Sequence, residues 1–311
     1  MPLHPEVEAM LRQIQQQHLP PMSSLTPEQV RQGQAAAYEM MRVPGLPVAR
    51  VEDQVWSVYA KRQTPVRIYY PKGEGPFPCL IFFHGGGWVF GDLEQYDNLC
   101  RGFTHHAGCV TISVDYGLAP EYPFPDPVEE SYAVTQWVME HANRLDVDAS
   151  RTAVGGDSAG GNLSAVVCQL SRDRGGHLPV FQFLLYPSVD LVGQSASKRE
   201  NANGYFLDAD TMIWFRNHYL PNLEDAKNSM ASPLLAKDFS HLPPAYVVTA
   251  EYDPLRDEGE AYAEKLQSAG VVAEVRRFPG MIHGFLSMDS VLSPAKEALV
   301  EIAHVLKRHL G

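Results

Sequence analysis

Apolar residues recur with two different spacings along the chain, and the spacing changes from one segment to the next. Near the N-terminus they follow the three-to-four-residue repeat of amphipathic helices, which predicts helices over residues 6–17 and 27–42. The second helix has a complete start signal, with Thr26 as N-cap, Pro27 at the first position and Gln29 closing a capping box. A minimal α/β sheet does not need two helices before its first strand, so we expect them to form part of a lid.

Short apolar runs alternate with helical patterns from residue 51 onward. Two runs, residues 51–59 and 66–70, predict an antiparallel pair of strands at a sheet edge. The later predicted strands cover residues 79–83, 109–115, 151–154, 181–186, 244–249 and 273–278, and the predicted helices cover 127–141, 162–172, 258–268 and a final segment that begins at Pro294. This alternation predicts an α/β fold with a mostly parallel central sheet and helices on both faces.

The alternation stops between residues 188 and 225, where there is no clear strand and a helical pattern covers 210–219. We interpret this segment as an insertion that joins the N-terminal helices above the sheet. The predicted organisation is residues 1–45 as N-terminal cap helices, 46–187 as the first part of the core, 188–225 as the cap insertion and 226–311 as the second part of the core.

Charge and cysteine content narrow the function classes. The formal net charge is -12 and no basic cluster is present, which argues against a nucleic acid or an anionic membrane as partner. No apolar run approaches the ~20 residues that a bilayer span needs, and the N-terminus does not read as a secretory signal. The four cysteines are scattered and predict buried thiols rather than bridges or metal ligands. We therefore expect a reduced, cytoplasmic setting.

The pattern G-x-S-x-G occurs at residues 156–160, between an apolar run and a helical one. In that context it predicts a nucleophile elbow, with Ser158 held out above the end of a strand and facing the N-terminus of a helix. Gly156 and Gly160 are then steric requirements, because a side chain at either position would collide with neighbouring backbone. Taken alone, the motif is equally consistent with a glycine-rich turn that contains a structural serine.

A serine nucleophile needs a base and a carboxylate that orients it, and both must lie on loops at the carboxyl ends of strands. His283 follows the last predicted strand between two glycines, and Asp253 follows the strand at 244–249. The order Ser158, Asp253, His283 is that of a known Ser-Asp-His triad.

Glu251 and Asp257 are the alternative candidates for the carboxylate that orients His283. Asp253 is preferred because Pro254 turns the chain away and leaves the Asp253 side chain at the strand tip, whereas Asp257 suits a cap of the following helix.

Three consecutive glycines follow His84, directly after the predicted strand at 79–83. Their unobstructed backbone N–H groups suit an oxyanion, together with the N–H of Ala159 after the nucleophile. The alternatives are a flexible turn and a phosphate-binding loop. A phosphate loop would end in Lys and Ser or Thr, which residues 88–90 do not supply.

Five motifs in combination resemble the bacterial hormone-sensitive-lipase family of esterases: residues 84–88 (HGGGW), 115–121 (DYGLAPE), 156–162 (GDSAGGN), 253–257 (DPLRD) and 283–285 (HGF). The resemblance covers essentially the whole chain. It implies an α/β-hydrolase fold with a helical cap, no cofactor and no metal, and hydrolysis of short- to medium-chain acyl esters by a serine carboxylesterase. By this resemblance the nucleophile falls on Ser158, the acid on Asp253, the base on His283, and the oxyanion donors on Gly86, Gly87 and Ala159.

The family usually has arginine where this chain has Gly117. We expect packing near Glu121 to differ for this reason and the chemistry to survive. Specificity is expected in the cap, where Met212, Phe215 and Arg216 share one helix face and Trp88 adjoins the oxyanion loop. The alternative is that the side chains on this helix face only pack the cap onto the core.

Two other functions remain open from the residues. An amidase or peptidase would use the same triad, and a non-catalytic small-molecule receptor is known on folds that resemble this family. His283 argues against the receptor, because such receptors have lost the base. The expected partner is a small-molecule ester, with no nucleic acid and no membrane span, and we allow for a homodimer.

Overall fold

A computed structural model describes all 311 residues. It contains a single eight-stranded sheet and nine α-helices. The strands are β1 (Arg50–Tyr59), β2 (Arg62–Tyr70), β3 (Phe77–Phe83), β4 (Val110–Val114), β5 (Val147–Asp157), β6 (Gln182–Leu185), β7 (Ala245–Tyr252) and β8 (Ala273–Ile282). The helices are α1 (Pro5–Gln16), α2 (Pro27–Met41), α3 (Asp97–Ala107), α4 (Asp126–Glu140), α5 (Ala159–Asp173), α6 (Ala196–Glu200), α7 (Ala209–Tyr219), α8 (Arg256–Ser268) and α9 (Ser293–Leu310).

The strands lie in the order β1-β2-β4-β3-β5-β6-β7-β8. β2 is antiparallel to both of its neighbours, and every pair from β4 to β8 is parallel. The predictions of a mostly parallel sheet and of an antiparallel pair at its edge are therefore confirmed. Because the carboxyl ends of parallel strands meet at one edge, the loops after β3, β5, β7 and β8 converge there.

Helices cover both faces of the sheet and divide the core into two layers. Apolar residues of α4, α5 and α8 pack on one face, and those of α3, α9 and α1 pack on the other. Successive residues of β3 alternate between them, since Ile81 belongs to the first layer while Leu80 and Phe82 belong to the second. This confirms β3 as a central strand covered on both sides. None of the helices combines the length and hydropathy that crossing a bilayer requires.

The elements that differ from the prediction include α3, the short helix α6, which was not predicted, and β5. α3 was not predicted, because its first turn lacks a start signal: the N-cap position is Tyr96, whose side chain makes no capping hydrogen bond. β5 is longer than the predicted strand at 151–154 and continues through Gly155 and Gly156. Glycine weakens the sequence signal of a strand, although it suits a place where another backbone approaches closely.

The two N-terminal helices are attached to different parts of the molecule. Val7 and Leu11 of α1 are buried in the layer that contains α9. α2 begins with the predicted capping box, in which Thr26 and Gln29 exchange hydrogen bonds. Just before α2, the carbonyl of Leu25 accepts a hydrogen bond of 3.1 Å from the indole of Trp214 in α7. α2 is therefore joined to the segment that was predicted as a cap insertion.

We predict that Gly160→Ala prevents normal folding. A Cβ atom on Gly160 would overlap the carbonyl oxygen of Phe83 and lie 2.7 Å from that of His84, so backbone would have to move. Overpacking against backbone costs about 3 kcal/mol or more, and we expect a large fall in the melting temperature or no recoverable folded protein.

Gly33→Ala is the matched control, because Gly33 lies in exposed helix α2 with no atom within 4 Å of the added carbon. That substitution should stabilise the protein by roughly 0.5–1 kcal/mol. An unchanged melting temperature in Gly160→Ala would show that the elbow tolerates a side chain there.

Candidate active site

Ser158 occupies a sharp turn between β5 and α5. Its φ and ψ angles are 55° and -114°. A positive φ costs a non-glycine residue about 1–3 kcal/mol, so surrounding contacts must hold it. The N–H of Ser158 donates to the carbonyl of Leu185 at 2.9 Å, and its carbonyl accepts from Asn162 at 3.0 Å and Ser188 at 3.1 Å. The backbone is thus fixed from both sides, and the side chain is directed to the carboxyl edge of the sheet.

His283 lies between Ser158 and Asp253. Its Nε2 atom is 2.9 Å from Ser158 Oγ, and its Nδ1 atom is 2.7 Å from Asp253 Oδ2. The second carboxylate oxygen of Asp253 accepts the N–H of Leu255 at 2.8 Å, which fixes the orientation of the carboxylate. Asp253 is fully buried and His283 is 7% exposed. These three side chains come from loops after β5, β7 and β8, as the sheet topology requires, and their geometry is that of a nucleophile, base and orienting acid.

The rival carboxylates bind elsewhere. Glu251 accepts the N–H of Gly280 at 2.7 Å, and Asp257 accepts the N–H of Ser197 at 2.7 Å. The expectation that Asp257 caps the following helix is wrong, because it lies in the first turn of α8 after an N-cap residue, Leu255, that makes no side-chain capping bond. Asp257 instead holds the start of α6, a contact between segments far apart along the chain.

The glycine turn after β3 faces the elbow. Gly86 has φ 99° and Gly87 has φ 58°, conformations that favour glycine. The carbonyl of Gly86 accepts hydrogen bonds from the N–H groups of Val89 at 3.0 Å and Phe90 at 3.1 Å. The N–H groups of Gly86, Gly87 and Ala159 donate to no backbone carbonyl in the chain. All three are therefore available as donors, and their role in binding an oxyanion stays a prediction.

Asp157, the residue before Ser158, was given no role from the sequence, although it lies inside the recognised motif. Its carboxylate accepts the N–H of Gly85 at 2.7 Å and the hydroxyl of Tyr96 at 3.0 Å. It thereby joins the elbow to the glycine turn. Burial raises the pKa of Asp157 to about 6, although the bonds from Tyr96 and Gly85 and the nearby His283 act in the opposite direction.

Two further aromatic contacts were not predicted. Tyr186, at the end of β6, lies edge-on to the imidazole of His283 with ring centroids 5.0 Å apart. His84, which precedes the glycines, is fully buried and stacks on Tyr116 at 4.4 Å. Burial lowers the pKa of His84, so it stays neutral at physiological pH. The only signal in the sequence was position, since both residues stand at the carboxyl ends of predicted strands.

The four residues predicted to line an acyl pocket differ in burial and in their contacts with the glycine turn. Phe215 lies against the glycine turn, because a Cβ atom on Gly87 would overlap its ring. Trp88 is only 3% exposed and stacks face to face on Tyr219 of α7 with centroids 4.2 Å apart. Met212 and Arg216 are half-buried on the same helix. Trp88 thus belongs to the contact between α7 and the core, and lining of a pocket stays a prediction for all four residues.

No group of three or more His, Cys, Asp or Glu side chains in the chain is arranged to hold a metal ion.

Comparison with known proteins was made on the sequence and on the fold. A family profile described as alpha/beta hydrolase fold matches residues 80–287. The carboxylic ester hydrolase LipN of Mycobacterium tuberculosis is 44% identical over 255 residues, which cover 80% of this chain and 68% of LipN. The carboxylesterase NlhH of the same organism is 42% identical over 269 residues, which cover 85% of this chain and 84% of NlhH.

Among solved structures, the ester hydrolase EH1AB1 from the metagenome of Lake Arreo, in complex with a derivative of bipyridine phosphonate, superposes with a TM-score of 0.95. It is 41% identical to this chain, and the superposition covers 99% of each.

We predict that Asp157→Asn changes how stability depends on pH. The folded protein holds the Asp157 proton more tightly than the unfolded chain does, so the free energy of unfolding falls as pH rises from about 4 to about 6. Ionising this carboxyl costs about 3 kcal/mol more in the folded protein than in the unfolded chain. The difference between the melting temperatures of Asp157→Asn and the wild type should therefore shift in favour of the variant as the pH rises across this range.

Asp148→Asn is the control. Asp148 is a half-buried carboxylate of β5 whose pKa is lowered to about 2, chiefly by the Ser150 hydroxyl and then by Arg151. Ionisation of Asp148 is nearly complete in both the folded and the unfolded states above about pH 5, so the effect of Asp148→Asn on the melting temperature should be constant from there upward. Parallel curves for Asp157→Asn and the wild type would contradict the assignment.

Proposed function

Because this chain belongs to the α/β-hydrolase fold family, and within it to the esterases that resemble hormone-sensitive lipase, we propose that it hydrolyses short- to medium-chain acyl esters through an acyl-enzyme on Ser158. It is a carboxylic ester hydrolase, as are relatives that match most of its length. The observation that carries the proposed mechanism is the continuous contact from Ser158 Oγ through His283 to Asp253, at 2.9 and 2.7 Å.

In the proposed first step, His283 Nε2 takes the proton of Ser158 as Oγ attacks the ester carbonyl. Asp253 holds the proton on Nδ1 and stabilises the imidazolium that forms. The protonated imidazole then gives its proton to the leaving alkoxide, so that alcohol departs and the acyl group remains on Oγ. In the second step His283 takes a proton from water as the water oxygen adds to the acyl carbon. The tetrahedral intermediate then collapses with cleavage of its bond to Oγ, and His283 returns the proton to Oγ, so that the acid is released and Ser158 is restored.

The negative charge of each tetrahedral intermediate is proposed to lie among the N–H groups of Gly86, Gly87 and Ala159. The directions of the Gly87 and Ala159 N–H groups are set before the reaction begins, because the Gly86 carbonyl is held by two N–H groups and Ala159 opens α5. Fixed donors need no reorganisation as charge develops. Ala159 adds the favourable dipole of a helix N-terminus.

Acyl-chain selection is proposed to depend on the contact between α7 and the glycine turn. The ring of Phe215 lies against Gly87 and is 5.9 Å from that of Phe90. Met212, one turn earlier on α7, is half-buried. Bulky side chains this close to the oxyanion donors would limit the length of acyl chain, which supports short- to medium-chain esters. Trp88 and Arg216 complete the proposed pocket.

We also propose the division into N-terminal cap helices (1–45), a cap insertion (188–225) and a core made of 46–187 and 226–311. Its support is the hydrogen bond between Trp214 and Leu25, which links the two cap segments. A cytoplasmic setting is proposed because all four cysteines are free and buried. A homodimer is proposed because β8 is an edge strand with one side unpaired in the chain.

Ser158→Ala should reduce turnover of p-nitrophenyl butyrate by about 1000-fold or more, because the attacking oxygen is removed. Labelling by a fluorophosphonate should be lost as well. Ser268→Ala, which alters an exposed serine at the end of α8, is the control and should match the wild type. Turnover near the wild-type rate in Ser158→Ala would exclude the mechanism. An amidase would be favoured if the wild type cleaved an aminoacyl anilide faster than the butyrate ester.

Met212→Ala combined with Phe215→Ala should shift preference toward longer acyl chains. Removing both side chains opens space beside the glycine turn, and we expect the ratio of kcat/KM for octanoate to that for butyrate to rise about tenfold. A series of nitrophenyl esters measures this ratio. Ile213→Ala, a residue of α7 that is 46% exposed, is the matched control. If the octanoate-to-butyrate ratio of the double variant changes no more than that of the control, Met212 and Phe215 do not line the pocket.

A further inference from the structure

The guanidinium of Arg31 reaches from α2 to the backbone beside the glycine turn. Its Nε atom donates to the carbonyl of Val89 at 2.8 Å, and one terminal nitrogen donates to the carbonyl of Ala119 at 2.8 Å. Both terminal nitrogens bind the carboxylate of Glu121, each at 2.7 Å. The side chain of Arg31 is 30% exposed. One cation from the N-terminal helix therefore holds two backbone carbonyls and one side chain of the core.

The bond to Val89 is the start of a chain of hydrogen bonds that ends at Gly87. The carbonyl of Val89 and the N–H of Phe90 belong to the same peptide group, and that N–H donates to the carbonyl of Gly86 at 3.1 Å. The carbonyl of Gly86 shares its peptide group with the N–H of Gly87. In a trans peptide the carbonyl and the N–H point in opposite directions, so holding the Gly86 carbonyl aims the Gly87 N–H away from Phe90.

A second path reaches the same carbonyl. Arg31 binds the carbonyl of Ala119, and the N–H of Ala119 donates to the carbonyl of Trp88 at 2.8 Å. The carbonyl of Trp88 shares its peptide group with the N–H of Val89, which donates to the carbonyl of Gly86 at 3.0 Å. Two N–H groups therefore donate to the Gly86 carbonyl, and Arg31 acts on the peptide group of each. It binds the carbonyl of one peptide group directly, at Val89, and it reaches the carbonyl of the other, at Trp88, through Ala119.

We propose that Arg31 is a positioning residue, which aims and polarises the N–H of Gly87 through the peptide groups at 88–90. The proposal rests on the proposed function, in which Gly87 binds the oxyanion. A cation at the head of a chain of aligned hydrogen bonds draws electron density toward itself along the chain, and each bond strengthens the next. The Gly87 N–H becomes a better donor to negative charge, which exists at that place only in the transition state.

The contacts of Arg31 suit this role better than simple attachment of α2. The helix is already fixed at its start, where Val30 is 3% exposed and the carbonyl of Leu25 binds Trp214. The hydrogen bonds from Arg31 lower the pKa of the Glu121 carboxyl, and the expected difference in packing near Glu121 stays a prediction.

The experiment compares wild type, Arg31→Ala, Arg31→Gln and Arg31→Lys, each normalised to the sites that a fluorophosphonate titrates, so that misfolded protein does not count. Arg12→Ala is the control, since Arg12 is an exposed arginine of α1 that pairs with Glu8. The measurements are kcat and KM for p-nitrophenyl butyrate, and Ki for two inhibitors. One is a trifluoromethyl ketone, whose carbonyl becomes an oxyanion when Ser158 adds to it. The other is butyl 4-nitrophenyl ether, which has no carbonyl.

In Arg31→Ala we expect kcat to fall about tenfold and the ketone Ki to rise by a similar factor, with KM and the ether Ki within about twofold of the wild type. Gln can donate to Val89 without a charge, and Lys can reach only one carbonyl, so both should lie between Ala and wild type. The fall in kcat and the rise in the ketone Ki should be proportional across the series, which loss of stability alone would not produce.

Two results would overturn the inference. One is a normalised kcat and a ketone Ki within twofold of the wild type in the Ala and Gln variants. The other is an increase in KM and the ether Ki equal to that in the ketone Ki, which would mean that Arg31 supports the pocket as a whole. Failure of the proposed function is a separate outcome, since Ser158→Ala would then remain active whatever Arg31 does.

Discussion

The close approach of α5 to the end of β3 sets the geometry on which the rest of the site depends. Gly160 lies against the carbonyl of Phe83, and a single added carbon would overlap that atom. The residues after Phe83 form the glycine turn, while the residue two before Gly160 is Ser158. One backbone contact therefore fixes the distance between Ser158 and the glycine turn. Asp157, bonded to Gly85 at 2.7 Å, makes a second connection between the same two segments.

The glycine turn is also held by contacts from α2 and α7. Phe215 covers Gly87, Trp88 stacks on Tyr219, and Arg31 binds the carbonyl of Val89. A loop that contains three glycines would otherwise be the most flexible part of the site. Its conformation is determined by contacts from the elbow on one side and from α2 and α7 on the other.

The sheet could be predicted from the sequence because a strand covered on both faces must be apolar along its whole length, and residues 79–83 show this directly. The meeting of Ser158, Asp253 and His283 could be predicted because each follows a parallel strand in the sequence, and the carboxyl ends of parallel strands lie together. Features that depend on pairs of distant residues could not be predicted. The bond from Asp257 to Ser197 and the one from Arg31 to Glu121 join positions 60 and 90 residues apart, and neither has a periodic or local signal.

The contact of the Phe215 ring with Gly87 has a consequence for how such enzymes diversify. If Phe215 lines the acyl pocket and Gly87 binds the oxyanion, as proposed, a substitution at Phe215 changes both the pocket and the packing of Gly87. Selectivity and rate would then not evolve as independent traits. Under the same proposal, recombination that exchanges the proposed cap segments between homologues should disturb turnover even when Ser158, Asp253 and His283 are retained. In such chimeras Arg31 and Glu121, which lie on opposite sides of the junction, would have to be inherited together.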